Sequence, residues 1–391
     1  MRKAHVPGNE PHENRGPLHP GALQANLTTG QRLASLDFFR GLIMMLLMLE
    51  SSGIYEHFVS GTEGSFLHGI AIQFTHHPWH GLHFWDLIQP GFMFIAGTAM
   101  AFSIARQDSR GRTRRQESLH ALKRSGWLFF WGVLDYAVRG DHLSFELWDV
   151  LTQLSFTMLV AFFIYRWKTG YQLLLSGMLL VLTEVLYRYS HFPGFDQPFT
   201  DQHNFGNYVD WLLMHKVNPG GWVAINCIPT AAHTIWGAVA GKWLLSGSGQ
   251  KRALRNIVLL AAAVLALGYA LDGWGVTPII KRIATTSFTL VSGGYCLAAL
   301  AFFVAWIDVR QHHRGLFPFV VVSRNSIFIY LFFEIVVSRW LADYFNVIVR
   351  GILAPTGLPV AVILVAASVA IFLFEWGLCY WLYRKKIFFR L

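Results

Sequence analysis

Between Phe74 and Pro90 the sequence reads Phe74-Thr75-His76-His77-Pro78-Trp79-His80-Gly81-Leu82-His83-Phe84-Trp85-Asp86-Leu87-Ile88-Gln89-Pro90, which gathers four histidines and a carboxylate ahead of an apolar run. A histidine titrates near neutrality, so its neutral ring can take a proton from an attacking amine or hydroxyl, or can itself carry an acyl group. A carboxylate such as Asp86 can fix the tautomer of that ring. Two other uses compete for the same residues: His and Trp packing at the level of lipid headgroups without chemistry, and a histidine cluster holding a metal. Cys227, Cys296 and Cys379 all fall in or beside apolar runs and suggest neither a disulfide framework nor a cysteine metal site.

Further polar groups lie inside apolar runs. Glu50 falls about 14 residues into the first run and Glu334 about the same distance into the ninth, each about 21 Å deep for a helix. Asn226 falls about four residues, or about 6 Å, into the sixth. Three polar groups from three runs thus reach a similar depth beneath the histidine segment, where exposure to lipid would be costly. Asn226, Thr230 and His233 follow an i, i+4, i+7 stripe, and Ser326, Tyr330 and Glu334 an i, i+4, i+8 stripe, patterns that also serve for hydrogen bonds between helices. At the other end of the runs, Arg40 opens the first, and Ser323-Arg324-Asn325 opens the ninth at a helix N-terminus suited to anions. No Walker, dinucleotide or GxSxG element is present.

The elements that must position these residues are membrane-spanning helices. Of 391 residues 54% are hydrophobic and 14% charged, with 32 Phe and 15 Trp, a composition that leaves too little polar surface for a soluble globule. About ten apolar runs of spanning length begin near Leu36, Trp85, Ser125, Trp148, Tyr171, Trp222, Asn256, Ser287, Phe319 and Pro359. The expected fold is therefore all-α and polytopic, with about ten transmembrane helices. The formal charge of +10 resides in short loops, where it encodes orientation, and nucleic acid is not an expected partner. Arg106 to Arg124 is dense in basic residues whereas Tyr55 to Phe84 has none, so the first loop is expected inside, the second outside, and both termini in the cytoplasm. Residues 1–31 read as a disordered cytoplasmic tail and 32–391 as a single transmembrane domain. The loops Tyr55 to Phe84 and Arg188 to Gly221 are expected to cap an outward-facing site.

Arg32-Leu33-Ala34-Ser35-Leu36-Asp37-Phe38-Phe39-Arg40-Gly41, then His76 through Gly81 with Asp86 and Pro90, resembles the heparan-α-glucosaminide N-acetyltransferase family and its bacterial-type relatives. Asn218-Pro219-Gly220-Gly221 with Asn226, Gly237 to Gly241, Lys281 with Ser287-Phe288, and Asn325-Ser326-Ile327 keep the family order to the end of the chain. The resemblance implies a multispan enzyme of a bacterial inner membrane that carries acetyl from cytoplasmic acetyl-coenzyme A to the amine or hydroxyl of a glucosamine-type sugar or glycan on the far side, with His76 at the family's active-site histidine. Two departures stand out: Ser51 where the family places an asparagine, and Thr152-Gln153 where relatives carry a Gln-Arg pair. On this reading His76, Asp86, Asn226 and Glu50 are the candidates for chemistry, Arg40, Asn325, Ser326 and His233 those for acetyl-coenzyme A, and no metal is called for. A homodimer is compatible with the sequence and not required by it. The competing reading is a carrier or flippase for a polar glycan or anion, in which Glu50, Glu334 and His233 line a path without acyl chemistry.

Overall fold

The computed structural model describes residues 33–139, 142–247 and 249–389; the expected tail, 1–31, lies outside them. Among the described residues the chain is helical throughout, without a strand, its one ladder contact being an isolated bridge between His80 and Ile280. The principal helices are α1 (Ala34–Ser51), α2 (Ile54–Gly61), α3 (Ile88–Ser109), α4 (Arg114–Ala137), α5 (Val150–Ile164), α6 (Thr169–Tyr189), α7 (Phe205–Met214), α8 (Cys227–Leu245), α9 (Gln250–Gly273), α10 (Thr286–Phe303), α11 (Phe317–Ser323), α12 (Ser326–Phe332), α13 (Ala342–Leu353) and α14 (Val360–Arg384).

Five helices are long and apolar enough to cross a bilayer: α3 with its leading turn from Phe84, α6, α9, α10 with its continuation to Val309, and α14. Two bent pairs raise the number to seven if each counts as one span: α1 with α2, turned by 66°, and α11 with the Ser326–Thr356 stretch, turned by 77°. Each expected run does begin at or near a helix. The shortfall from ten has a compositional cause, because α4 opens on Arg114, Arg115, Glu117, Lys123 and Arg124, α8 carries Thr230, His233, Thr234 and Lys242, and α5 has only 15 residues.

The centre of the bundle is the seam between α3 and α8. A Cβ on Gly97 would collide with the carbonyl of Thr234, and one on Gly237 with the carbonyl of Phe94, so two backbones approach as only glycine permits. Around this seam Met93, Phe94, Ile235, Val239 and Leu297 are fully buried. Because α3 is held this rigidly, whatever is fixed to its two ends is held in register across the bundle.

Candidate functional site

One end of α3 begins with the turn Phe84–Leu87, and Asp86 closes that turn on itself: its Oδ2 accepts the His83 amide at 2.8 Å and the His77 amide at 3.3 Å. Backbone donors therefore fix the carboxylate independently of any histidine ring. Its Oδ1 lies 3.1 Å from His76 Nδ1. Lys281, from the loop between α9 and α10, brings its Nζ to 2.9 Å from the same Nδ1 and 3.6 Å from Asp86 Oδ1. The Asp86 side chain is 1% exposed and that of Lys281 6%, whereas the His76 ring keeps 37% of its surface open. Among the described residues none hydrogen-bonds His76 Nε2, so the nitrogen facing away from this cluster is free. The Trp222 ring lies 5.4 Å from the His76 ring, centroid to centroid and steeply inclined to it, and the Lys281 Nζ sits over the Trp222 ring 5.3 Å from its centre. Burial, reinforced by the Lys281 charge, lowers His76 below its ordinary 6.5. Burial also pulls the Lys281 ammonium down to about 8 against the opposing pull of Asp86 and Glu50.

The Lys281 loop is pinned from several sides. Gly81 donates to Ile279 O at 2.9 Å, His80 Nε2 meets Asp272 at 2.8 Å, and Thr285 caps α10 while its hydroxyl accepts from Ile280 N and donates to Pro278 O. Ala284 sits in the left-handed region at φ +45, a conformation disfavoured for a residue with a Cβ and kept by the bonds on either side. Trp79 Nε1 donates to Phe199 O at 2.8 Å, so the loops Tyr55 to Phe84 and Arg188 to Gly221 meet, and Arg282 donates to Gly220 O, which ties the second of them to the Lys281 loop.

At the opposite end of α1 and α3 lies a cavity of about 370 Å³, lined by Asp37, Arg40, Arg106, His120, Arg124 and Arg324 among apolar side chains that include Ile43, Phe92 and Ile95. Asp37 reaches Arg324 at 3.8 Å. Among the described residues neither Arg40 nor Arg124 closes an ion pair or hydrogen bond, and the Arg324 Nε is buried without a partner. Guanidinium groups gathered around open space, with one acidic side chain on the lining, make an anion site.

Residues 32–270 match the family model described as heparan-alpha-glucosaminide N-acetyltransferase, catalytic, which covers more than half of the chain. The chain belongs to this family. Family membership makes it a membrane-embedded acetyltransferase by class. No curated protein matches the sequence. The family match contains the His76–Asp86 pair, Arg40 and Asn226 but ends ahead of Lys281. Ser51 Oγ donates to Glu375 Oε1 at 3.1 Å, joining α1 to α14 beside the bend that leads into α2. Gln153 accepts from Gln89 Nε2 at 2.8 Å, a neutral contact between α5 and α3.

The remaining sequence candidates fall into two groups. Glu50 accepts Trp85 Nε1 at 2.8 Å, is exposed, and has Lys281 and Glu334 as electrostatic neighbours, so it borders the histidine end. Ser326 and Arg40 line the arginine cavity. Asn226 is buried near the Lys281 loop, but its Nδ2 is committed to Arg282 O at 2.6 Å and its unpartnered atom is the acceptor Oδ1, which suits it to holding the loop rather than to donating to an oxyanion. Asn325 is likewise committed, with Nδ2 on Ile387 O and Oδ1 on Phe389 N, so it anchors the segment before the C-terminus instead of lining the cavity. His233 is fully buried between α8 and α10, with Nε2 against Thr289 O and Ser292 Oγ, and touches neither site. The third stripe member of the ninth run, Glu334, pairs with Arg139 at 2.8 Å, and Tyr330 donates to Asp149, so both are held in contacts between helices. Of the four histidine rings only that of His76 meets the carboxylate; those of His77 and His83 meet edge to face at 4.7 Å and that of His80 goes to Asp272. Arg106 and Arg124 were legible as topology-setting charges alone, whereas Arg324 lay in the segment read as suited to anions.

Proposed function

We propose that the chain moves an acetyl group from cytoplasmic acetyl-coenzyme A to an amine or hydroxyl of a glucosamine-type sugar on the other side of a bilayer, in a bacterial-type inner membrane. The observation that carries this reading is the continuity of α1 and α3 between the arginine-lined cavity and the His76–Asp86 pair. Phosphates of the donor fit the unpaired guanidiniums of Arg40 and Arg124. From Phe92 at the cavity to Asp86 there are six residues, about 9 Å along a helix, a distance for the thioester arm to cover. The loops richest in Lys and Arg adjoin the arginine end, which supports its assignment to the cytoplasm.

In the reaction the acceptor nitrogen or oxygen attacks the thioester carbonyl, forming the new C–N or C–O bond as the C–S bond breaks. The proton lost by the acceptor goes to His76 Nε2 and from there to the departing thiolate. Asp86 holds the ring through Nδ1 and stabilises the transient imidazolium, the division of labour of a positioned base and its orienting carboxylate. An acetyl group carried first on Nε2 uses the same open nitrogen. Free thiol release from acetyl-coenzyme A by purified protein in detergent, with and without glucosamine-type sugars, tests the reading. Sugar-stimulated release that disappears in His76→Ala is the expected result; no release with any sugar would favour a carrier.

A further inference from the structure

Nothing in the chemistry above uses Lys281, yet it is the closest side chain to the reacting ring. An ammonium has three donors and no acceptor. The one nitrogen His76 Nδ1 therefore faces a donor, Lys281 Nζ at 2.9 Å, and an acceptor, Asp86 Oδ1 at 3.1 Å. It can satisfy only one at a time: carrying a hydrogen it donates to Asp86, and bare it accepts from Lys281. We propose that the protonation state of Lys281 selects the tautomer of His76 and thereby switches the open Nε2 between proton carrier and proton acceptor. This inference rests on His76 Nε2 being the nitrogen that acts.

With Lys281 as ammonium, the ring hydrogen of neutral His76 sits on Nε2, which then has no lone pair to offer. When Nε2 releases that hydrogen to solvent, Lys281 passes one proton across the 2.9 Å gap to Nδ1. The products are a neutral amine, an Nδ1–H that donates to Asp86, and a free lone pair on Nε2; one proton has left for bulk water and only N–H bonds have changed. The titratable and charged groups facing Lys281 are His76 and Asp86 from the histidine segment, Glu50 from α1, and its neighbour Arg282. Trp222 adds its ring face. The carboxylates and the ring favour the ammonium, while burial and Arg282 oppose it, a balance that brings its titration to about 8. Lys281 makes the switch as a positioning residue, since it acts only through the ring.

The test reads the ring directly. Diethyl pyrocarbonate attacks an unprotonated imidazole nitrogen, and the modified His76 peptide can be quantified by mass spectrometry in the full chain in detergent at a series of pH values. In the wild type the modification rate should climb about tenfold per pH unit, since one proton is lost, and level off near the lysine's value of about 8. In Lys281→Met the nitrogen facing Asp86 keeps its hydrogen, so the midpoint should fall from the lysine's value to that of the ring's own titration, and the rate should be flat above it. In Lys281→Arg the permanent cation should hold the rate low across the alkaline range. A Met profile superposable on the wild type overturns the proposal, as does a wild-type midpoint below 6.5. Should the Met variant fail to fold, the wild-type midpoint and the Arg variant decide. Because no acetyl transfer is measured, a lysine-controlled midpoint with no thiol release would sink the transfer reading and leave the switch standing, and the opposite pair of results would do the reverse.

Discussion

The two ends of α3 treat charge in opposite ways. At the histidine end Asp86 receives two backbone amides, a ring and an ammonium, and every group around it is held by a loop that is itself bonded on both sides. At the arginine end, guanidiniums crowd a cavity of about 370 Å³ and two of them have no ion-pair partner among the described residues. Like charges kept close together with little to neutralise them destabilise a folded chain unless a ligand supplies the counter-charge, whereas a carboxylate satisfied by fixed donors needs nothing more. The first end is built to hold one atom in place, and the second to receive something. What the contrast teaches is that the open valences, Nε2 of His76 on one side and the guanidiniums on the other, locate the ligands better than the mere presence of polar residues does.

The largest expected effect breaks the histidine end alone. His76→Ala should lower thiol release by about 10²- to 10⁴-fold, the usual worth of a positioned base, while equilibrium binding of acetyl-coenzyme A stays as it was; a variant as active as the parent removes His76 from the chemistry. Next comes the arginine end. Arg40→Ala and Arg124→Ala should each weaken acetyl-coenzyme A binding by about 10- to 100-fold, corresponding to one charge-assisted contact, with the pH profile of His76 modification unaltered. Unchanged binding in both would disconnect the cavity from the donor.

Smaller effects sharpen the boundary between the two ends. Asn226→Ala removes the 2.6 Å bond to Arg282 O and so loosens the Lys281 loop; a several-fold fall in kcat with KM for acetyl-coenzyme A unchanged is expected, along with about 1–3 kcal/mol of stability. A change confined to KM would contradict the loop-holding role. The pH dependence has a definite sign: with Lys281 as ammonium the ring hydrogen sits on Nε2, so transfer should rise with pH and level off near about 8 as the lysine titrates, whereas in Lys281→Met it should reach its plateau at lower pH. Least of all, His233→Leu should cost about 1 kcal/mol in thermal unfolding and leave transfer per folded molecule intact, because the ring's hydrogen bonds go to Thr289 and Ser292 on α10, away from both ends.

Much of this was legible beforehand, and the parts that were not have common causes. His76 with Asp86 was readable because both lie within one segment of eleven residues, where a turn can bring them together without help from the rest of the chain. The stripes on the sixth and ninth runs were readable as polar faces but not as function. A helical period says which residues share a face and leaves open whether that face meets a ligand or another part of the bundle; for His233 it meets α10, and for Tyr330 and Glu334 it meets Asp149 and Arg139. The span count suffered differently, since α4 and α8 carry enough charge and polarity to fall short of a membrane-crossing composition while still packing inside the bundle.

The sequence by itself determined the class: apolar runs too long and too numerous for a soluble core, basic loops that encode orientation, and a histidine paired to a carboxylate by local spacing. Only the tertiary structure decided that Lys281, 205 positions from His76, lies against the same ring nitrogen, and that arginines from α1, α3, α4 and the α11–α12 break share one cavity. The reason is physical. Periodicity and composition record how each helix meets its surroundings, but which donor reaches which acceptor depends on how the helices pack, and here that packing is set by the glycine seam between α3 and α8.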